Sequence, residues 1–206
     1  MINGDWSSDV CSSDLRKISP EVAKHMDNLS NEAGVISALA IDQRGSLKRM
    51  LAEAANKPAD ETTIVDFKEA VSKELTPYAS AILTDPEYGL PATKVRDKNC
   101  GLLLSYEKTG YDTTEPGRMC DLIADQSALR IKNDGADAVK FLLYYDPDES
   151  DEINDKKKAF VERVGAETKA NGLPFFLELL TYDGKMDDVK SEEYAKVKPE
   201  DRKSVV

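Results

Sequence analysis

The stretches "DAVKFLLYYD" (Asp137–Asp146) and "LPFFLELLTYD" (Leu173–Asp183) decide the fold. Each holds a continuous apolar run of strand length rather than a polar alternation, the pattern of a strand covered on both faces. Each also carries one charge in its middle, Lys140 in the first and Glu178 in the second. Three further runs read the same way: "GVISALAID" (Gly34–Asp42), "YASAILTD" (Tyr78–Asp85) and "CGLLLSYEK" (Cys100–Lys108). Five such runs separated by helical segments or loops predict a parallel sheet.

The intervening segments fit that sheet. In "PADETTIVDFKEAVSKEL" (Pro58–Leu75) the residues Ile64, Phe67, Val71 and Leu75 fall on one helical face, and Asp60 stands where an N-cap belongs. In "DEINDKKKAFVERVGAETKANG" (Asp151–Gly172) the apolar face is Ile153, Phe160, Val161 and Val164, with Asn171-Gly172 as a left-handed stop. A third helix is expected over about 121–133, ending at Gly135, whereas the link from the second run to the third has room for only a turn or two. Strand, helix and strand in repetition define an α/β fold with the helices outside the sheet.

An open doubly wound sheet and a closed (β/α)8 barrel both satisfy this pattern. The first strand leads into "DQRGSLKR" (Asp42–Arg49), with no glycine-rich nucleotide fingerprint. Polar residues instead gather where the strands end: Asp42, Gln43 and Arg44; Asp85 and Glu87; Glu107 and Lys108; Asp146; Tyr182 and Asp183. A barrel assembles its active site at that rim. The expected fold is therefore an α/β, (β/α)8 TIM barrel, truncated after about strand five. Its first and fifth strands are then unpaired edges, and its inward-facing side chains are partly wet.

Charges inside strands need partners, since an unpaired buried ion costs several kcal/mol (about 3 or more). Strand periodicity sets Lys140 and Leu142 opposite Val139, Phe141 and Leu143, and sets Glu178 opposite Leu177 and Leu179. With the apolar neighbours facing the helices, both charges point into the barrel from adjacent strands. Two readings remain open, an interior salt bridge that fills the barrel and a lysine–carboxylate catalytic pair. In the second, the carboxylate is the acid/base and the lysine either a Schiff-base nucleophile or a cation for a substrate oxygen. Asp42 is a substrate-hydroxyl ligand or a helix cap. Lys108, in the rim loop "YEKTGYD" (Tyr106–Asp112), is a phosphate contact or a solvated charge, and "DKKKAF" (Asp155–Phe160) reads as the wet face of a helix.

Composition excludes several alternatives. A formal charge of -11 makes nonspecific nucleic-acid or anionic-membrane binding unexpected. With His25 as the only histidine and no CxxC pair, neither a zinc site nor a histidine-based triad is expected. The sequence has no apolar run long enough for a membrane span and no signal-peptide pattern, so a reduced, cytoplasmic setting is expected.

The two ends read differently from the body. "CSSDL" (Cys11–Leu15) has a DNA spelling whose reverse complement encodes "DRKS" (Asp201–Ser204), and that spelling resembles the end of a sequencing-library adapter. Continued outward, the adapter matches Asp5–Cys11 and Asp201–Val206. Residues 1–15 and 201–206 are therefore expected to be translated adapter, and residues 16–200 a partial barrel domain from a longer gene.

Six blocks in order carry a family resemblance: "GVISALAIDQRGSLKRM" (Gly34–Met50), "LTDPEYGLPA" (Leu83–Ala92), "CGLLLSYEKTGYD" (Cys100–Asp112), "DAVKFLLYYD", "PFFLELLTYD" and "YAKVKP" (Tyr194–Pro199). Together they resemble the bacterial class I tagatose 1,6-diphosphate aldolases. The resemblance implies a (β/α)8 barrel that cleaves tagatose 1,6-bisphosphate to dihydroxyacetone phosphate and glyceraldehyde 3-phosphate through a lysine Schiff base, with no metal and no cofactor. It implies that Glu178 transfers protons, that Lys140 contacts a substrate oxygen and keeps Glu178 ionised, and that Asp42 and Gln43 hold the substrate. The family's Schiff-base lysine lies on the strand after "YAKVKP", so neither Lys196 nor Lys198 inherits its role, and the chain as it stands is expected to be inactive. The implied partner is a phosphorylated ketose, with room for a homo-oligomer of the full-length parent. A related aldolase for another phosphorylated or sulfonated ketose, and a noncatalytic sugar-phosphate-binding protein on the same scaffold, are the alternatives.

Overall fold

A computed structural model describes residues 18–186, 191–196 and 198. The expected adapter-derived ends, residues 1–15 and 201–206, lie outside the described residues, as do Val197 and Pro199 of the "YAKVKP" block. The five apolar runs form the strands β1 (Ala38–Ala40), β2 (Ala81–Thr84), β3 (Gly101–Ser105), β4 (Ala138–Tyr145) and β5 (Phe175–Thr181). All pair in parallel in the order β1-β2-β3-β4-β5, so each strand neighbours its predecessor and each crossover places helices on one side.

The sheet is curled into a half-barrel. Three inter-strand spacings separate β1 from β4, about 14 Å in a flat sheet. Lys140 Nζ on β4 nevertheless lies 2.8 Å from Asp42 Oδ2, two residues beyond the end of β1. Only inward curvature brings those inner faces within one side-chain length.

Alternation along the strands produces two apolar layers. Ile82, Leu102, Leu104, Val139, Phe141 and Leu143 face outward onto the helices, where Ile131 and Val164 meet them. Ala81, Leu103 and Ala138 face inward at the start of the strands, and Leu29 at the end of helix α1 (Pro20–Leu29) plugs them from below. Gly101 is required there, because a Cβ would stand 2.5 Å from the Asn28 carbonyl oxygen.

The remaining helices are α2 (Gly45–Ala55), α3 (Glu61–Leu75), α4 (Leu90–Val95), α5 (Ala128–Asn133) and α6 (Asp151–Ala170). Asp60 caps α3 by accepting from Thr63 N, and Ser127 and Ser150 cap α5 and α6 in the same way. Gly172 takes a positive φ of 69° just beyond α6, the left-handed stop expected from Asn171-Gly172.

Several expectations are corrected. The helix expected over 121–133 shortens to α5, because Leu122 bridges Glu107 and Ile123 N donates to Tyr106 O, which commits these residues to the end of β3. On α3 the buried residues are Ile64, Lys68 and Ser72, while Phe67 and Leu75 are exposed. The buried face is thus rotated from the apolar one by about 50° at 100° per residue. The cause is Lys68, whose ammonium donates to Ile41 O and to the buried Asp85 carboxylate and so draws its own side of the helix onto the sheet. "DKKKAF" is not wholly wet. Lys156 and Lys158 pair with Glu152 and Asp155 at the surface, but Lys157 is fully buried and donates to the Tyr182 hydroxyl at 3.0 Å.

Candidate active site

Lys140 is the centre of the inner face. It projects from the middle of β4 with only 4% of its side chain exposed, and three carboxylates surround its ammonium: Asp42 Oδ2 at 2.8 Å, Glu107 Oε1 at 2.9 Å and Glu178 Oε2 at 2.8 Å. They come from the ends of β1 and β3 and from the middle of β5. Leu142 lies opposite Glu178 in the β4–β5 register, placing Lys140 one inward-facing residue earlier, which lets the ammonium reach diagonally to its neighbour strand.

Burial opposes a charge on Lys140, but the combined attraction of Glu107, Asp42 and Glu178 overrides it and holds the lysine above its ordinary pKa. It is therefore held as an ammonium that donates hydrogen bonds to all three carboxylates. Glu107 shows the converse: burial pushes its carboxyl up, offset in part by Lys140, and its Oε2 accepts from Leu142 N at 3.2 Å. The neighbouring Asp42 carboxylate adds a smaller upward push, so burial rather than like charge is the main cause.

Glu178 shows the partly wet inner face expected where the fifth strand is an unpaired edge. Its side chain is 46% exposed, because β5 pairs with β4 alone among the described residues, leaving its inner face open. An accessible carboxylate 2.8 Å from a buried ammonium is placed to exchange protons with a bound molecule.

Asp42, Gln43, Arg44, Glu107, Lys140 and Glu178 line one cavity of about 200 Å3, closed on one side by Lys108–Gly110 of the rim loop. All four residues singled out from the sequence, Asp42, Gln43, Lys140 and Glu178, are brought together there. Two further groups belong with them. Glu107 was visible only as one of several charges at strand ends. Arg44 is buried and spans to β3, where Nη2 donates to Glu107 O at 2.7 Å. Neither has a sequence signal beyond its strand-end position. Asp85 and Asp146, which share that position, do not join the cavity. Asp85 is consumed by Lys68, and Asp146 accepts from Gly184 N and Asp148 N.

A buried lysine ringed by carboxylates at the C-terminal rim of a parallel half-barrel defines the rim site of a TIM-type barrel. The chain belongs to the DeoC/LacD aldolase family: a family model described as "DeoC/LacD family aldolase" matches residues 36–201. It is 63% identical to tagatose 1,6-diphosphate aldolase 2 of Enterococcus faecalis over 174 residues, which cover 84% of this chain and 52% of that protein. It is 62% identical to the tagatose 1,6-diphosphate aldolase of Listeria monocytogenes (84% and 51% covered) and 59% identical to that of Staphylococcus haemolyticus (84% and 54%). The chain thus spans about half the length of the curated relatives it matches. Among solved structures, a Schiff-base-forming fructose-1,6-bisphosphate aldolase shares the fold with a TM-score of 0.51 at 19% identity, covering 81% of this chain and 60% of that one. A protein from Corynebacterium glutamicum does so with a TM-score of 0.54 at 16% identity, covering 82% and 63%.

Proposed function

We propose that the full-length protein is a class I, Schiff-base aldolase that cleaves tagatose 1,6-bisphosphate to dihydroxyacetone phosphate and glyceraldehyde 3-phosphate in the cytoplasm. The observation that carries this reading is the Lys140 ammonium held between Asp42, Glu107 and Glu178 at the strand ends. The names of relatives about 60% identical supply the substrate.

Cleavage of the C3–C4 bond needs an electron sink at C2 and a base for the C4 hydroxyl proton. The sink is a protonated imine on a lysine carried by the strand that follows "YAKVKP" in the family. Glu178 is the base: it is solvent-accessible and stands 2.8 Å from the Lys140 ammonium. Lys140 donates to a substrate oxygen, and Asp42 with Gln43 holds the sugar beside the imine. Lys140, engaged by three carboxylates, is read as the donor to a substrate oxygen rather than as the imine-forming lysine.

Borohydride reduction in the presence of dihydroxyacetone phosphate tests the assignment. The full-length protein is expected to gain one covalent adduct on a lysine beyond Lys198, with Lys140 unmodified, and Glu178→Gln is expected to lower kcat by about 100-fold or more while still forming the adduct. An adduct on Lys140, or none, overturns the reading. The 206-residue chain itself is expected to show no cleavage; activity that disappears in Glu178→Gln would refute that.

A further inference from the structure

Arg118 takes a backbone conformation set by tertiary contacts rather than by local preference. Its φ is 48°, in the left-handed region that a residue with a Cβ seldom enters. Its guanidinium carbon lies 4.3 Å from the centre of the Tyr182 ring and 5.3 Å from that of Tyr111. Gly117 before it also has a positive φ, 98°, and a Cβ there would stand 2.6 Å from Ile153 Cγ2 on α6. Such a conformation persists only where the surroundings over-determine it. Here they join the loop after β3 to α6 and to the end of β5.

The residues on either side form a hairpin that borders the candidate active site. Lys108 N donates to Asp121 O at 2.8 Å and Asp112 N to Met119 O at 3.0 Å, so the segment Lys108–Asp121 folds back on itself. Its first limb, Lys108–Gly110, lines the cavity that holds Lys140 and Glu178. Tyr111 then packs edge-on against Tyr144 of β4, which lines the same cavity, with ring centres 4.9 Å apart. Residues 111–116 are exposed, so the attachment of the tip falls to Gly117 and Arg118. Arg118 carries it one strand further, to Tyr182, four residues beyond Glu178. Tyr182 is a fixed platform: it is buried, and its hydroxyl accepts from Lys157 at 3.0 Å and donates to Glu149 at 3.1 Å.

We propose that Arg118 is a positioning residue, a latch that holds the rim hairpin across β4 onto the end of β5 and so fixes the cavity wall Lys108–Gly110 opposite Glu178. It acts through Tyr111 and Tyr182 rather than on substrate. A planar guanidinium suits this part, because it stacks on a ring where an ammonium presents only a point charge. Lys140 and Glu178 are held by their own ion pair of 2.8 Å, independently of the hairpin. Releasing the latch therefore loosens one wall of the cavity and leaves that pair in place. The consequence for turnover rests on the aldolase reading, whereas the latch itself needs no catalysis.

Arg118→Asn tests the latch, because asparagine tolerates the left-handed backbone and removes the guanidinium. Hydrogen exchange in the 206-residue chain is expected to run about tenfold faster over Lys108–Asp121 in this variant, with β4 unchanged. Arg118→Lys, which keeps a cation but not the stacking plane, is expected to fall between the variant and the wild type. In the full-length protein, Arg118→Asn is expected to raise KM for tagatose 1,6-bisphosphate about tenfold with kcat within about twofold, and Arg118→Lys to recover part of the loss. Unchanged hairpin exchange in Arg118→Asn, or an equal effect of the lysine variant, overturns the latch. A fall in kcat with KM unchanged overturns its action on the cavity wall. Should Arg118→Asn fail to fold, Tyr111→Leu, which removes one ring at an exposed position, decides in its place: the same local acceleration is expected, and its absence overturns the latch. Exchange is read without substrate, so the latch and the aldolase reading, which borohydride trapping tests, fail separately.

Discussion

Lys140 and Asp42 are 98 residues apart in the chain and have two strands between them in the sheet, yet their side chains share a hydrogen bond of 2.8 Å. That contact is the signature of the half-barrel. It also means that the charge balance of the rim depends on one lysine.

Replacing Lys140 with methionine is expected to destabilise the chain by about 3 kcal/mol or more at neutral pH, because Asp42 and Glu107 are left enclosed without a counter-charge. The loss should shrink as the pH falls, since carboxylates without the ammonium are neutralised by protons instead. Urea unfolding of both proteins at pH 7 and pH 5 measures it. An equal deficit at the two values would mean that lost packing, not stranded charge, is responsible.

The Lys68–Asp85 pair is fully buried and joins α3 to the end of β2. Asp85→Ala strands the ammonium and is expected to cost about 3–5 kcal/mol. Adding Lys68→Met should recover much of this, because the double variant has no uncompensated charge. A double-mutant cycle by denaturant unfolding reads the coupling, and additive single effects would show the pair to be energetically silent.

Lys157 makes stability depend on alkaline pH. Burial lowers its pKa to about 8, only partly offset by Glu149 and Asp146, against about 10.4 in an unfolded chain. Between these values the unfolded state binds more protons than the folded one, so stability rises with pH across that window and is lower, and level for this group, below it. Lys157→Met should abolish that rise and be near neutral or stabilising at pH 7. A wild-type unfolding free energy that is flat from pH 8 to about 10 would contradict the assignment.

The terminal stretches have their own test. If residues 1–15 and 201–206 are translated adapter, resequencing the source locus across both ends should remove "CSSDL" and "DRKSVV" and continue the reading frame past Glu200 into a strand bearing a lysine. Genomic "DRKSVV" followed by its stop codon would refute the adapter reading.

The strands, their parallel order and the inward pair of Lys140 and Glu178 were all legible in the sequence. A strand buried on both faces must be apolar almost throughout, so a lone charge in its middle stands out against its neighbours, and alternation alone assigns it a face. Asp42 was legible only as a strand-end residue, open between a substrate ligand and a helix cap, and Gln43 was singled out by the family resemblance. Helical charges are silent by comparison. Lys68 and Lys157 sit in segments where lysine ordinarily faces water, and the groups that draw them inward, Asp85 and Tyr182, lie 17 and 25 residues further on. Only tertiary structure decided which carboxylates converge on Lys140, that Arg44 is buried, and that Glu178 is open while Glu107 is closed. Those facts depend on the curvature of the sheet, which sums small twists over four strand pairings and is encoded in no single segment.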